Sequence, residues 1–140
     1  MLNMFRRLVL LMVVLGVSAC AVIEPKAEEH VFALAEQRQA ALLKHEFDKA
    51  YQYMSPGYRQ LNSLEQFTTK NMGVYAWESS NVLNSECEED ICKVNVAIEY
   101  DSARMFNTGR KPVAEKRIIS RVNIETWIKL DNKWWFSKSQ

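Results

Sequence analysis

The chain contains little of what common catalytic and metal-binding motifs require. Its 140 residues include only two histidines and three cysteines. No Gly-x-Ser-x-Gly motif, His-Glu-x-x-His motif or Gly-rich phosphate-binding loop occurs in it. A zinc site needs four ligands. Cys87 and Cys92 would supply only two, and His30 and His45 are both distant from them in sequence. We therefore expect no metal site, no cofactor and no catalytic residues, and predict that the protein is not an enzyme.

The chain also lacks a strong net charge and a long apolar run. Lys and Arg number 18 and Asp and Glu number 17, so the formal net charge is +1. A nearly neutral chain has no general attraction to nucleic acid, and we expect no such partner. The apolar run at residues 8–17 is well short of the roughly 20 residues that span a bilayer.

The first twenty residues have the order of a secretory signal. Arg6 and Arg7 precede the apolar run, and Val17-Ser18-Ala19-Cys20 closes it with small residues. A cationic start, an apolar middle and a small-residue cleavage site define a signal peptide. The segment predicts a signal peptide at residues 1–19, followed by a short tether at residues 20–27 and one domain at residues 28–140.

The end of this segment resembles the lipobox of bacterial lipoproteins, in which small residues precede a cysteine. The resemblance implies that Cys20 takes a diacylglyceryl group and that its freed amine is also acylated, for example with palmitate. Two or three acyl chains anchor a protein durably, whereas one chain is marginal. Ala21 in the next position resembles lipoproteins sorted to the outer membrane. We expect a lipid-anchored protein of the bacterial envelope, at the outer membrane and facing the periplasm.

The remaining cysteines, Cys87 and Cys92, are even in number and separated by an acidic tetrapeptide. In an oxidising compartment this spacing predicts a disulfide that joins two strands beside their turn. A metal site that uses both thiolates and the neighbouring acids is the alternative.

The first half of the domain has helical periodicity. Phe32, Ala35, Leu42 and Leu43 lie on one helical stripe, and Phe47, Ala50, Tyr51 and Met54 on a second. Pro56 and Gly57 should end that second helix. Ser63 and Gln66 have the spacing of a capping box, which predicts a third helix.

The second half has the period-two pattern of antiparallel strands. One strand is predicted over residues 77–86, and another over residues 93–101 with Val94, Val96, Ile98 and Tyr100 inward. A longer strand shows one parity of apolar residues, Ile118, Val122, Ile124, Ile128 and Leu130. We expect this parity to be buried, Ile124 and Ile128 included, and Glu125 and Lys129 on the opposite face to be exposed. Asp131-Asn132 predicts a closing hairpin turn.

Helices followed by antiparallel strands predict an α+β fold with the helices on one face of a sheet. The stretches FDKAYQYMSPGYRQLNSLEQF and ETWIKLDNKWWF resemble the helical half and the closing hairpin of the nuclear-transport-factor-2-like (NTF2-like) superfamily, the cystatin-like cone. The resemblance implies N-terminal helices packed on a curved antiparallel sheet. Some enzymes of that superfamily, isomerases and dehydratases among them, work inside the cone, but no motif here carries their roles. Such an enzyme remains the alternative to a binding protein.

Two sets of residues are candidates for binding. The first set consists of four residues with hydroxyl groups: Tyr51, Tyr100, Ser120 and Thr126. If these side chains point into the space between the sheet and the helices, they could line a pocket for a small apolar ligand. The alternative is that they are part of a filled core. A second set could contact an envelope protein or anionic headgroups, and it combines two tryptophans with the basic segment at residues 104–117; its members are Trp77, Trp127, Arg104, Arg110 and Lys111.

We predict that Cys20 is lipidated, since it directly follows the small residues of the lipobox. Mass spectrometry of the processed N-terminus should find a diacylglyceryl-cysteine, and Cys20→Ala should leave the precursor uncleaved and unacylated. An unmodified N-terminus in the wild-type protein would contradict the prediction.

Overall fold

The computed structural model describes residues 26–105 and 116–137. Its first half is helical, and each helix is short except the first. The helices are α1 (Ala27–Leu43), α2 (Phe47–Gln52), α3 (Pro56–Leu61) and α4 (Leu64–Lys70), followed by a 3₁₀ helix (Met72–Ala76). The predicted signal peptide and Cys20 lie outside the described residues.

Local sequence signals determine where these helices begin. The hydroxyl of Ser55 accepts a hydrogen bond from the Tyr58 amide, and Pro56 occupies the first turn of α3, where its missing N–H costs nothing. Ser63 and Gln66 form the predicted capping box, with both reciprocal hydrogen bonds present. These caps satisfy amide groups that a helix leaves without an internal partner.

The second half is a four-stranded antiparallel sheet with the strand order β1-β2-β3-β4. The strands are β1 (Trp77–Glu88), β2 (Ile91–Asp101), β3 (Ile118–Leu130) and β4 (Lys133–Ser137), and a single turn of helix, α5 (Ser102–Met105), follows β2. Asp131 and Asn132 both have positive φ, which is typical of the type I′ turn that joins two-residue hairpins. The predicted closing hairpin is therefore confirmed.

The predicted disulfide is confirmed. Cys87 of β1 and Cys92 of β2 face each other across the hairpin and are bonded. Cys92 is fully buried, so the bond joins the strand turn to the core.

The helices pack on one face of the sheet, as predicted. Val94, Val96 and Ile98 of β2 form the inner face, and Val31 and Ala35 of α1 pack against it. A second cluster lies among the helices, around Phe67 and Met54, and Trp77 and Phe136 contact it from the sheet. The α+β arrangement with N-terminal helices on an antiparallel sheet is thus present.

The orientation predicted for β3 is wrong. Ile124 is 68% exposed, whereas Glu125 is 7% exposed and Trp127 is fully buried. The pairing with β2 places Trp127 beside Cys92 and Glu125 beside Val94, so the inner face of β3 is the parity predicted to face solvent. Burying Trp127 and the paired carboxylate of Glu125 therefore stabilises the fold more than burying the aliphatic side chains on the other face of β3 would.

The described residues bear on two further expectations, a membrane span and the connection after β2. None of the helices within residues 26–105 and 116–137 is long and apolar enough to cross a membrane. The predicted long connection between β2 and β3 begins with α5, and residues 106–115 lie outside the described part of the chain.

Candidate functional site

A buried ion pair connects the longest helix to the third strand. Arg38 Nη1 of α1 donates to Glu125 Oε1 of β3 at 2.5 Å, although the residues lie 87 positions apart. Only 5% and 8% of the two side chains are exposed. A buried charge without a partner is strongly destabilising, so each of these charges requires the other. The pair therefore joins the helical layer to the sheet.

Two further donors hold the Glu125 carboxylate. Gln39 Nε2 donates to Oε1 at 2.6 Å, and Trp127 Nε1 donates to Oε2 at 3.1 Å. Ser80 Oγ of β1 donates in turn to Gln39 Oε1 at 2.7 Å. A carboxylate offers about four acceptor positions, and three donors already use most of them. Glu125 is consequently fixed in place by residues from α1 and from its own strand.

Arg38 has hydrogen-bonding capacity that the protein does not use. Its guanidinium lies over the Phe136 ring at 3.8 Å from the centroid, and its buried Nε has no hydrogen-bond partner. Burial lowers the pKa of Arg38, and the attraction of Glu125 opposes that shift. The group remains cationic at neutral pH because arginine loses its proton only in strong base.

A cavity of about 460 Å³ lies beside this pair, between the helices and β3. Its polar wall is formed by five residues, Arg38, Gln39, Asn71, Asn123 and Glu125. Its apolar wall comes from both core clusters and from β3, and consists of Leu42, Met54, Phe67, Trp77, Ile98, Val122, Ile124 and Phe136. The two charges in the lining cancel, so the cavity is polar on one side and has no net charge.

A second cavity, of about 600 Å³, lies at the 3₁₀ helix, and its lining includes Lys70, Tyr100 and Arg104. The cations near it are engaged within the protein. Arg104 pairs with Glu78 at 3.3 Å and with Asp101 at 3.4 Å, and Lys70 Nζ donates to an amide oxygen of the helical layer at 2.6 Å. We therefore regard the cavity beside Arg38 as the candidate site.

The structure does not bring together the four hydroxyl groups predicted to line a pocket. The Tyr51 hydroxyl donates to the Asn62 carbonyl at 2.6 Å within the helical layer. Tyr100 lines the second cavity. Ser120 and Thr126 lie on the outer face of the sheet, because β3 has the opposite orientation to the one predicted.

The residues predicted to form an interaction surface have different environments. Trp127 is fully buried and cannot contact a partner, which corrects the prediction; its indole packs inward because it bonds to Glu125. Trp77 is half-buried and packs edge-on against Tyr100. Arg104 is exposed but paired with two acids. Arg110 and Lys111 lie outside the described residues.

The sequence reasoning missed the central residues of the site. Arg38 lies three positions after Ala35 and four before Leu42, so it is on the apolar stripe of α1. A charged residue in the middle of such a stripe is a signal for a buried partner. Across residues 26–105 and 116–137, no three His, Cys, Asp or Glu side chains come close enough to hold a metal ion.

Three solved structures are similar in fold. A SEC-C motif-containing protein from Rhodopseudomonas palustris has a TM-score of 0.54 at 18% identity, covering 76% of this chain and 73% of that protein. A Campylobacter jejuni protein named as an NTF2-like transpeptidase has a TM-score of 0.45 at 14% identity, covering 74% and 94%. A Xanthomonas campestris protein named as a calcium/calmodulin-dependent protein kinase II association domain has 0.46 at 15% identity, covering 76% and 80%.

Similarity at these identities concerns the fold alone. No family model and no curated protein matches the chain.

A double-mutant cycle should show that Arg38 and Glu125 act as one unit. Arg38→Met or Glu125→Leu alone should lower the free energy of unfolding by about 3–5 kcal/mol, because each leaves a buried charge without its partner. The double variant should recover most of that loss. Urea unfolding of the four proteins measures the coupling, and additive single effects would contradict a buried pair.

Proposed function

We propose that the protein is an envelope lipoprotein of the NTF2-like superfamily that binds a small ligand in the cavity beside Arg38. Cys20 would anchor it to the outer membrane, with the domain on the periplasmic side. The sequence of residues 1–20 supports the anchor, and the disulfide between Cys87 and Cys92 suits an oxidising compartment. The fold supports the superfamily, since its helices cover one face of an antiparallel sheet.

The unpaired Nε–H of Arg38 is the observation that carries ligand binding. Small-molecule sites are mostly apolar, with a few polar groups that orient the ligand. The cavity has this composition, and the buried guanidinium has an Nε–H without an acceptor. A buried donor that lacks an acceptor is unfavourable. A ligand oxygen that accepts a hydrogen bond from this group would relieve the cost.

The charge balance of the cavity indicates the kind of ligand. Arg38 and Glu125 neutralise each other, and they are the charged residues that line the cavity within residues 26–105 and 116–137. An anionic or cationic ligand would lose its hydration without gaining a free counter-charge. The site therefore favours an uncharged molecule with an apolar body and one carbonyl or hydroxyl acceptor.

The same lining favours binding without chemistry. Glu125 is the carboxylate that lines the cavity, and three donors hold it. A general base must be free to accept a proton from the substrate. Among the described residues, no histidine, cysteine, serine or threonine is part of the lining, so that part of the chain supplies no activated nucleophile there.

Three aromatic probes of one shape and different charge test the proposal: 2-naphthamide, 2-naphthoate and 2-naphthamidine. Trp77 lines the cavity, so binding should change the tryptophan fluorescence. We expect the neutral amide to bind most tightly. Asn123→Ala should weaken its binding about tenfold through loss of a polar contact, with unchanged stability because the Asn123 side chain is exposed.

Lys93→Met is the control, because Lys93 lies on the outer face of the sheet and should not affect binding. Failure of all three probes to bind would contradict a ligand cavity. If the naphthoate or the naphthamidine bound more tightly than the amide, the proposal of an uncharged ligand would be contradicted, but the cavity would still be a binding site.

A further inference from the structure

The exposure of β3 shows which end of the cavity beside Arg38 is open. Val122, Asn123, Ile124 and Glu125 all line this cavity. Glu125 is 7% exposed, whereas Val122 is 57% and Ile124 is 68% exposed, and Asn123 is exposed as well. The cavity is therefore closed around Arg38 and Glu125 and open toward the start of β3.

Arg121 lies beside this open end, on the same face of the sheet as the cavity. Side chains of a strand alternate between its faces, so Arg121 shares the inner face with Asn123 and Glu125. In the pairing with β2, Arg121 lies beside Ile98, which is buried and lines the cavity. Arg121 itself is exposed. Two residues along the strand separate its Cα from that of Asn123 by about 7 Å, so the guanidinium can reach the open end.

The charge of Arg121 differs from that of the other cations near the cavities. Among the residues that the structure describes, no carboxylate forms an ion pair with it. Glu78 and Asp101, at the same end of the sheet, pair instead with Arg104. Glu99 lies on the outer face, where it accepts a hydrogen bond from a serine of β1 at 2.8 Å. Arg121 therefore offers a cation to a ligand, whereas the charge of Arg38 is already balanced.

We propose that Arg121 binds a carboxylate at the exposed end of the ligand, while Arg38 binds an uncharged acceptor at the buried end. This inference rests on the ligand cavity proposed above, and it narrows the ligand to an apolar carboxylic acid with a carbonyl or hydroxyl at its far end. A guanidinium matches a carboxylate through two parallel hydrogen bonds. The carboxylate stays partly hydrated at the open end, so it escapes the high cost of burying a charge in the cavity.

The spacing along β3 requires the two polar groups to lie at opposite ends of the ligand. Four residues separate Arg121 from Glu125, so their Cα atoms lie about 13 Å apart. A probe that fits is 6-carbamoyl-2-naphthoate, which carries an amide and a carboxylate at opposite ends of one ring system. Its isomer 3-carbamoyl-2-naphthoate has the same charge and composition with the two groups adjacent, and cannot present them to both arginines.

Calorimetric titration of the full chain in non-ionic detergent compares these acids with 2-naphthamide. At low ionic strength 6-carbamoyl-2-naphthoate should bind about fivefold more tightly than 2-naphthamide, which is the upper range for a solvent-exposed ion pair. The 3-carbamoyl isomer should bind no more tightly than 2-naphthamide. The fivefold advantage should disappear in about 1 M NaCl, where charges are screened within about 3 Å.

Substitutions of Arg121 assign the effect to this side chain. Arg121→Gln should abolish the advantage of 6-carbamoyl-2-naphthoate and leave the affinity for 2-naphthamide unchanged. Thermal stability should also stay the same, because the side chain is exposed. Arg121→Lys keeps the charge and should retain part of the advantage. Lys93→Gln is the control, since it removes a cation from the outer face of the sheet and should change neither affinity.

Equal affinities of the wild-type chain for 6-carbamoyl-2-naphthoate and 2-naphthamide would overturn the role of Arg121 and leave the cavity as a ligand site. An advantage that survives Arg121→Gln, or that the 3-carbamoyl isomer shares, would overturn it as well. Failure of all three compounds to bind would contradict the cavity itself, and with it this inference.

Discussion

The contact between Arg38 and Glu125 determines which way the third strand faces. Both charges are buried, so the strand can place Glu125 inward only where α1 supplies Arg38 and Gln39. Once Glu125 is inward, period two also places Trp127 inward. That indole fills the core between β2 and β4 and donates to the same carboxylate. One polar network thus determines the position of α1, the orientation of β3 and the inward placement of Trp127.

The remaining features of the molecule follow from that orientation. Because Glu125 and Asn123 face the helices, the space beside them is a polar-sided cavity and not a filled aliphatic core. Because the aliphatic parity of β3 faces outward, Val122 and Ile124 are exposed at a strand that β4 covers only from Thr126 onward. The cavity and the exposed aliphatic residues of β3 are therefore two consequences of one choice of face. A buried ion pair contributes little net stability compared with apolar packing, so we attribute its presence here to this specificity.

Much of the fold could be predicted from the sequence, because it is encoded locally. The capping box at Ser63, the turn at Asp131-Asn132 and the alternation in β2 depend on neighbouring residues, and the structure contains all three. The disulfide followed from spacing and compartment. The face of β3 could not be predicted in this way, because hydropathy counts five aliphatic residues against one tryptophan and one glutamate. The deciding partner of Glu125 lies 87 positions away on α1, and only tertiary packing brings the two together. The site residues were missed for the same reason.

The most direct test of this account is the exchange rate of the Trp127 indole N–H, followed by NMR in deuterated solvent. The account predicts that this proton is the slowest to exchange of the four tryptophan indoles, because it is fully buried and bonded to Glu125. Its exchange should require opening of the core, and so should be at least about a thousandfold slower than that of a free indole. Trp135, which is half-buried on the outer face, provides the internal reference. Exchange of Trp127 at the rate of Trp135 would show that Glu125 does not face the helices, and would contradict the account.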